Sequence, residues 1–287
     1  MDIYLAAEQA FFLVPQISLE VARDRVEQKK ASLMMGTIGA IFSQPKADEI
    51  RLLSFESRFE PYWVVRASSS TLYDRERIYT VPTGGPEVKS VTVLGQEVQA
   101  LPQVRGAAVL QLNVIEHCVQ QLTSVQMVDG MTGGRGDFQK YQAVAKTEIA
   151  DLNTFAPPGM LVLAPQVRAS AVVRQVTAEV VQPVQNAQVI HEERVDVELI
   201  ELNFRPVYAF EYEWPSKNRR VVIEMDAVTT EVRAGGKRWG DQLKGVLTRD
   251  LLFDITADAV GMILPGGSIA VKLVKAVVDR GDRKSVV

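Results

Sequence analysis

The 287 residues contain one cysteine, Cys118, and two histidines, His117 and His191. One cysteine forms no disulfide within the chain, which fits a reducing compartment. A structural zinc site takes about four Cys or His ligands, more than this chain supplies. Glu116, His117 and Cys118 are consecutive, so on a strand they point to alternate faces and do not converge on one ion. Cys118 reads as a small core residue and His117 as a surface one. The N-terminus lacks the basic segment of a secretory signal. The longest apolar stretch, 259–278, is broken by Pro265-Gly266-Gly267 and interrupted by Lys272 and Lys275, so no membrane-spanning helix is expected. Lys and Arg number 32 against 35 Asp and Glu, and this net charge of −3 carries no basic excess that would point to nucleic acid. Phosphate-binding and nucleophile motifs are also missing. Gly133-Gly134-Arg135-Gly136 lacks the Lys-Ser/Thr of a P-loop and reads as a hairpin turn. Ser68-Ser69-Ser70 has no neighbouring histidine and reads as a hairpin loop. No catalytic residue, metal or cofactor is expected.

What the chain has is hydrophobic content and valine. It is 47% hydrophobic, enough for a core, and 41 of its residues are Val, which leans toward strands. The length allows about two domains. Self-comparison finds matching segments. At an offset of 150, Leu13, Pro15 and Gln16 match Leu163, Pro165 and Gln166. At an offset of 145, Glu56, Phe59 and Pro61 match Glu201, Phe204 and Pro206, and Trp63 faces Tyr208. Each copy reads as a helix beginning near its Pro-Gln, followed by a meander of short strands. Val172, Val176 and Val180 form one apolar stripe, and Pro183 ends that helix. Pro61 and Pro206 read as strand starts, where a missing N–H is tolerated. The expected fold is α+β: two related helix-plus-antiparallel-sheet repeats at 1–95 and 161–237, a β-rich insert and linker at 96–160, and C-terminal helices and tail at 238–287.

The run from Val221 to Val232 resembles the closing hairpin of PepSY-like domains. In that family a strand ends in Asp-Ala, turns through Thr-Gly and returns through Glu-Val. Here Asp226-Ala227, Thr229 and Glu231-Val232 match, and Thr230 stands at the glycine. Asp129-Gly130-Met131-Thr132-Gly133 has a related turn. The resemblance implies an interaction or regulatory unit rather than an enzyme. Over its whole length the chain also resembles a bacterial family whose likeness implies no activity.

Aromatic and basic residues recur in both copies. Arg58, Tyr62 and Trp63 in the first, with Arg205, Tyr208 and Glu211 in the second, are the candidate ligand- or partner-binding residues. Their alternatives are a shared core and a groove between the repeats. Ser268 caps an expected helix reaching Asp279, with Ile269, Leu273 and Val277 on its apolar side. That helix packs on the body, on another subunit or in a membrane interface. The expected function is a non-enzymatic protein-interaction or scaffold protein, oligomeric or peripherally attached to a membrane through this helix. The alternative is a small-ligand-binding protein or hydrolase using the groove. A protein partner or self-association and a cytoplasmic location, with a membrane surface as the further contact, complete the expectation.

Overall fold

The structure, a computed structural model, describes residues 1–35, 46–237, 247–255 and 272–275. Valine-rich alternation becomes strand on a larger scale than the sequence suggests. Strands typically run about 3–10 residues. Here β3 (Arg51–Pro82) has 32, β6 (Val109–Asp129) has 21 and β9 (Val189–Trp214) has 26. They lie side by side and antiparallel, in the order β6-β3-β9. β10 (Arg219–Asp226) continues the sheet beyond one half of β9, and β11 (Val232–Ala234) follows it. Along the other half of β9 run β1 (Asp2–Leu5) and β2 (Glu8–Leu13), both parallel to it. Short β7 (Lys146–Glu148) pairs β2, and β8 (Leu161–Val162) pairs β3. A separate hairpin, β4 (Ser90–Val93) with β5 (Gln96–Gln99), sits between β3 and β6 in sequence.

The α+β expectation is therefore overturned. Among the described residues, one ten-stranded mixed sheet dominates and only three α-helices occur. The meander of short strands expected after the first helix is, over 51–82, one strand, and Ser68-Ser69-Ser70 lies within it rather than in a loop. Pro61 and Pro206 are mid-strand. Each sits where the neighbouring strand changes. β8 pairs β3 up to Phe59 and β6 takes over at Tyr62, while β2 pairs β9 up to Phe204 and β10 takes over at Val207. The missing N–H falls in that gap, so no ladder bond is lost. The matched segments are adjacent in this sheet, with Phe59 opposite Pro206 and Pro61 opposite Phe204. They are neighbours in one sheet, not the cores of two helix-plus-sheet units.

Helix α1 (Leu19–Met35) starts four residues after Pro15 and packs on β10, buried at Ala22 and Val26. Helix α2 (Ala169–Val180) starts four residues after Pro165 and packs on β3 and β6. Its stripe Val172, Val176 and Val180 is buried, as the spacing predicts. Helix α3 (Arg249–Leu252) is a single turn. The expected C-terminal helical hairpin is corrected at one point: β12 (Lys272–Lys275) is a strand pairing parallel with β1, placing Leu273 opposite Ile3. Ile269 and Val277 lie outside the described residues. Among the described residues, no helix is long and apolar enough to cross a membrane.

Candidate functional site

Alternation on β3 puts Glu56, Arg58 and Glu60 on one face. The register sets Glu60 opposite Arg205 on β9, and Arg58 and Glu56 opposite Val207 and Ala209. Those two small side chains let Arg58 reach across β9 to β10, where Glu224 lies beyond Ala209. The result is a buried ionic network. Arg58 is fully buried and donates to Glu60 Oε1 from Nε (2.9 Å) and Nη2 (2.6 Å), to Glu56 Oε1 (3.0 Å), to Glu224, and to the Lys237 carbonyl (2.8 Å). Arg205 donates to Glu60, to the Tyr141 hydroxyl (3.1 Å) and to Asp226 Oδ2 (3.2 Å). Tyr141 in turn donates to Asp226. Arg233 on β11 donates to Glu224 Oε2 (2.6 Å) from the solvent side.

Three guanidiniums are shared among four carboxylates, Glu56, Glu60, Glu224 and Asp226. Burial alone would raise the Glu60 carboxyl, but the Arg205 and Arg58 guanidiniums outweigh it and hold its pKa below the usual carboxylate range. Burial raises the Tyr141 hydroxyl, and its bond to Asp226 raises it further. Burial is also the main reason the Tyr62 hydroxyl is raised. A general acid or base works best with a pKa near the operating pH, and these shifts move away from it. Two shallow hollows flank Arg233. One of about 310 Å³ has Lys140, Arg205 and Glu231 on its walls, and one of about 330 Å³ has Arg58, Asp129 and Thr132. Both have guanidiniums and carboxylates side by side.

Of the six candidate residues, the structure brings Arg58 and Arg205 into this network. Tyr62 stacks on Phe138 at 4.7 Å and leans on Tyr141 at 5.5 Å, closing the network's inner side. Trp63 and Tyr208 part company: Trp63 is buried under α2 and Tyr208 under α1. Each ties a helix entry to the sheet, Trp63 Nε1 donating to the Val167 carbonyl (2.8 Å) and the Tyr208 hydroxyl to the Ile17 carbonyl (3.0 Å). Glu211 accepts from Ser54 at 3.0 Å, further along β9. The six line no common groove. Sequence reasoning missed Glu60, Glu224, Asp226, Tyr141 and Arg233. The period-two run Glu56, Arg58, Glu60 was the available signal.

The two histidines meet at one carboxylate. His117 Nδ1 lies 2.7 Å from Asp74 Oδ1, and His191 Nε2 lies 2.8 Å from Asp74 Oδ2. His191 falls at a register shift in β9, a bulge that re-aims the side chain. The hydrogen bond from His117, then that from His191, lowers the Asp74 pKa. Among the described residues, no group of three or more His, Cys, Asp or Glu side chains is arranged to hold a metal ion. Comparison with family models, with curated proteins and with solved structures returned no match.

Beyond Asp74 the sheet thins. β9 ends at Val189 opposite Asp74, while β3 and β6 run on as a two-stranded arm, residues 75–82 against 109–116. At about 3.4 Å per residue this arm projects about 27 Å. Ile78, Tyr79, Val81 and Ile115 are exposed on it.

Proposed function

We propose that this protein is a non-enzymatic interaction or scaffold protein that presents its long sheet, and the β3–β6 arm in particular, to a protein partner. The arm carries the reading. An isolated two-stranded hairpin is marginal in water, and a third strand or a packed face is what stabilises one. Large apolar side chains on a projecting ribbon serve a contact better than they serve the fold. The ionic network supports the same reading from the other side, because its guanidiniums are engaged by carboxylates that tie β3, β9 and β10 together, a structural task.

The test is site-specific photocrosslinking in cells. A photoreactive side chain at Ile78 or Ile115 is expected to form discrete protein adducts, and one at Arg219, on the β9–β10 hairpin, is expected to form none. Absence of adducts from every arm position, in protein that is expressed and folded, overturns the reading.

A further inference from the structure

Among the described residues, the outer edge of β6 has no neighbour over most of its length. Val109 exchanges backbone hydrogen bonds with Leu101 at one end, and Met127 accepts from Gly136 at the other. The β3–β6 register runs without a shift from Tyr62/Asp129 to Pro82/Val109, so the backbone direction alternates regularly. Val109 and Met127 point outward, and therefore so do all odd-numbered residues from Gln111 to Val125. Among the described residues no backbone group pairs with them on that side.

Proteins protect such edges with lysine, proline, bulges or brevity. The other edges of this sheet show those devices. β11 is three residues long and carries Arg233, and β7 is three residues long and carries Lys146 and Glu148. The free edge of β3 along the arm has Arg75, Glu76 and Arg77 and ends at Pro82. Residues 110–126 have no Lys, Arg, Pro or Gly, and their one carboxylate, Glu116, is paired with Arg75. An unprotected edge of this length is built to be covered.

We infer that a second copy of this chain covers it, β6 pairing antiparallel with β6 about a twofold axis at Cys118. This deepens the proposed function and rests on it. An antiparallel edge is self-complementary under twofold symmetry. Centring the pair on residue 118 uses every outward residue: Gln111 faces Val125 of the second copy, Asn113 faces Thr123, Ile115 faces Gln121 and His117 faces Val119. No like charges oppose, and Glu116 falls opposite Gln120. About 16 backbone hydrogen bonds would form, against about 10 in an interface of standard size. The two Cys118 residues would meet as a non-hydrogen-bonded pair with Cα atoms about 4.5 Å apart, within the range of about 4.4–6.8 Å that a disulfide spans.

The full chain is therefore expected to sediment, as concentration rises, at about twice its 31.7 kDa. Diamide, taking two hydrogens from two thiols, is expected to link native dimers through Cys118. Cys118→Ser removes the link and leaves the mass unchanged. Val119→Pro deletes an outward N–H and spares the bonds to β3, so it should return the protein to single-chain mass. Val119→Lys does the same by charge, should the proline variant fail to fold. In amide exchange, odd-numbered amides of residues 111–125 gain protection with concentration, while even-numbered ones are protected throughout. A chain that stays monomeric with no diamide-linked dimer overturns the inference, as does a dimer that both Val119 variants leave intact. If a monomeric chain still photocrosslinks a different protein from the arm, self-pairing falls and the interaction reading stands. If neither occurs, both fall.

Discussion

Replacing Arg58 with Met keeps roughly the same volume and removes a charge that Glu60, Glu224 and Glu56 share. Arg58 is wholly buried, and Glu60 and Glu224 are nearly so. Truncating one member of a buried, hydrogen-bonded ion network leaves its partners uncompensated, at a cost of about 3–5 kcal/mol. Unfolding entropy scales with chain length, so for this chain that loss lowers Tm by about 5–8 °C. The assay is thermal and urea unfolding followed by tryptophan fluorescence, since Trp63 and Trp214 are buried.

Its pH dependence is the sharper readout. In the native protein the Glu60 pKa lies below its unfolded value of about 4.3, so its contribution is fully present above that value and is lost as pH falls through the folded pKa. In Arg58→Met the Coulomb attraction and hydrogen bonds of Arg58 vanish, while burial, which raises the Glu60 pKa, and the Arg205 charge, which lowers it, remain. The folded pKa moves upward toward the unfolded value, so the variant has less carboxylate-linked stability to lose as pH falls. The difference between the two proteins is thus greatest near neutrality and shrinks with acidification. A loss below about 1 kcal/mol at pH 7, or one that grows with acidification, would falsify the view that buried guanidiniums hold the Glu60 pKa down.

Three further outcomes are expected. Thr230 occupies the left-handed region at φ 63°, where the matching turn places Gly133 at φ 75°. Thr230→Gly relieves about 1–2 kcal/mol of steric cost against about 0.5–1 kcal/mol of added chain entropy, so urea unfolding should show a small net gain. Tyr208→Phe removes the bond to the Ile17 carbonyl, and the urea midpoint should fall by the equivalent of about 1 kcal/mol. Asp74 should titrate below the usual carboxylate range by NMR and move upward in His117→Gln/His191→Gln, since those two hydrogen bonds lower it.

The helix α2 was legible because its signal is local: Val172, Val176 and Val180 recur at four residues, and Pro183 bars extension. The long strands were not, because a proline is read against its own chain, whereas its cost depends on the neighbouring one. Pro61 and Pro206 break nothing, since each N–H would have pointed into the gap between successive partner strands. β6 was legible only as part of a β-rich insert at 96–160 for a related reason. Its continuity through the polar residues Glu116, His117, Gln120 and Gln121 depends on β3, which sets Asp74 and Arg75 alongside. The matched Phe-x-Pro segments were real landmarks of the chain, yet similarity along a sequence does not tell two stacked units from two adjacent strands of one sheet.

The same distinction decides how the site was read. Arg58 and Arg205 were legible as basic residues among aromatics, and Glu56-x-Arg58-x-Glu60 has the period of a strand face. Such a face ordinarily meets water. Here the segment after β6 folds back, stacking Phe138 on Tyr62 and bringing Tyr141 to Asp226, while the Lys237 carbonyl caps Arg58. A charged face became an interior one through residues about 75 to 180 positions away in sequence, and no local pattern in β3 records that cover. The edge of β6 is the converse case. What identifies it is an absence of lysine, arginine, proline and glycine over 17 residues, which is plain in the sequence but acquires meaning only once the topology shows that, among the described residues, no strand lies beside it.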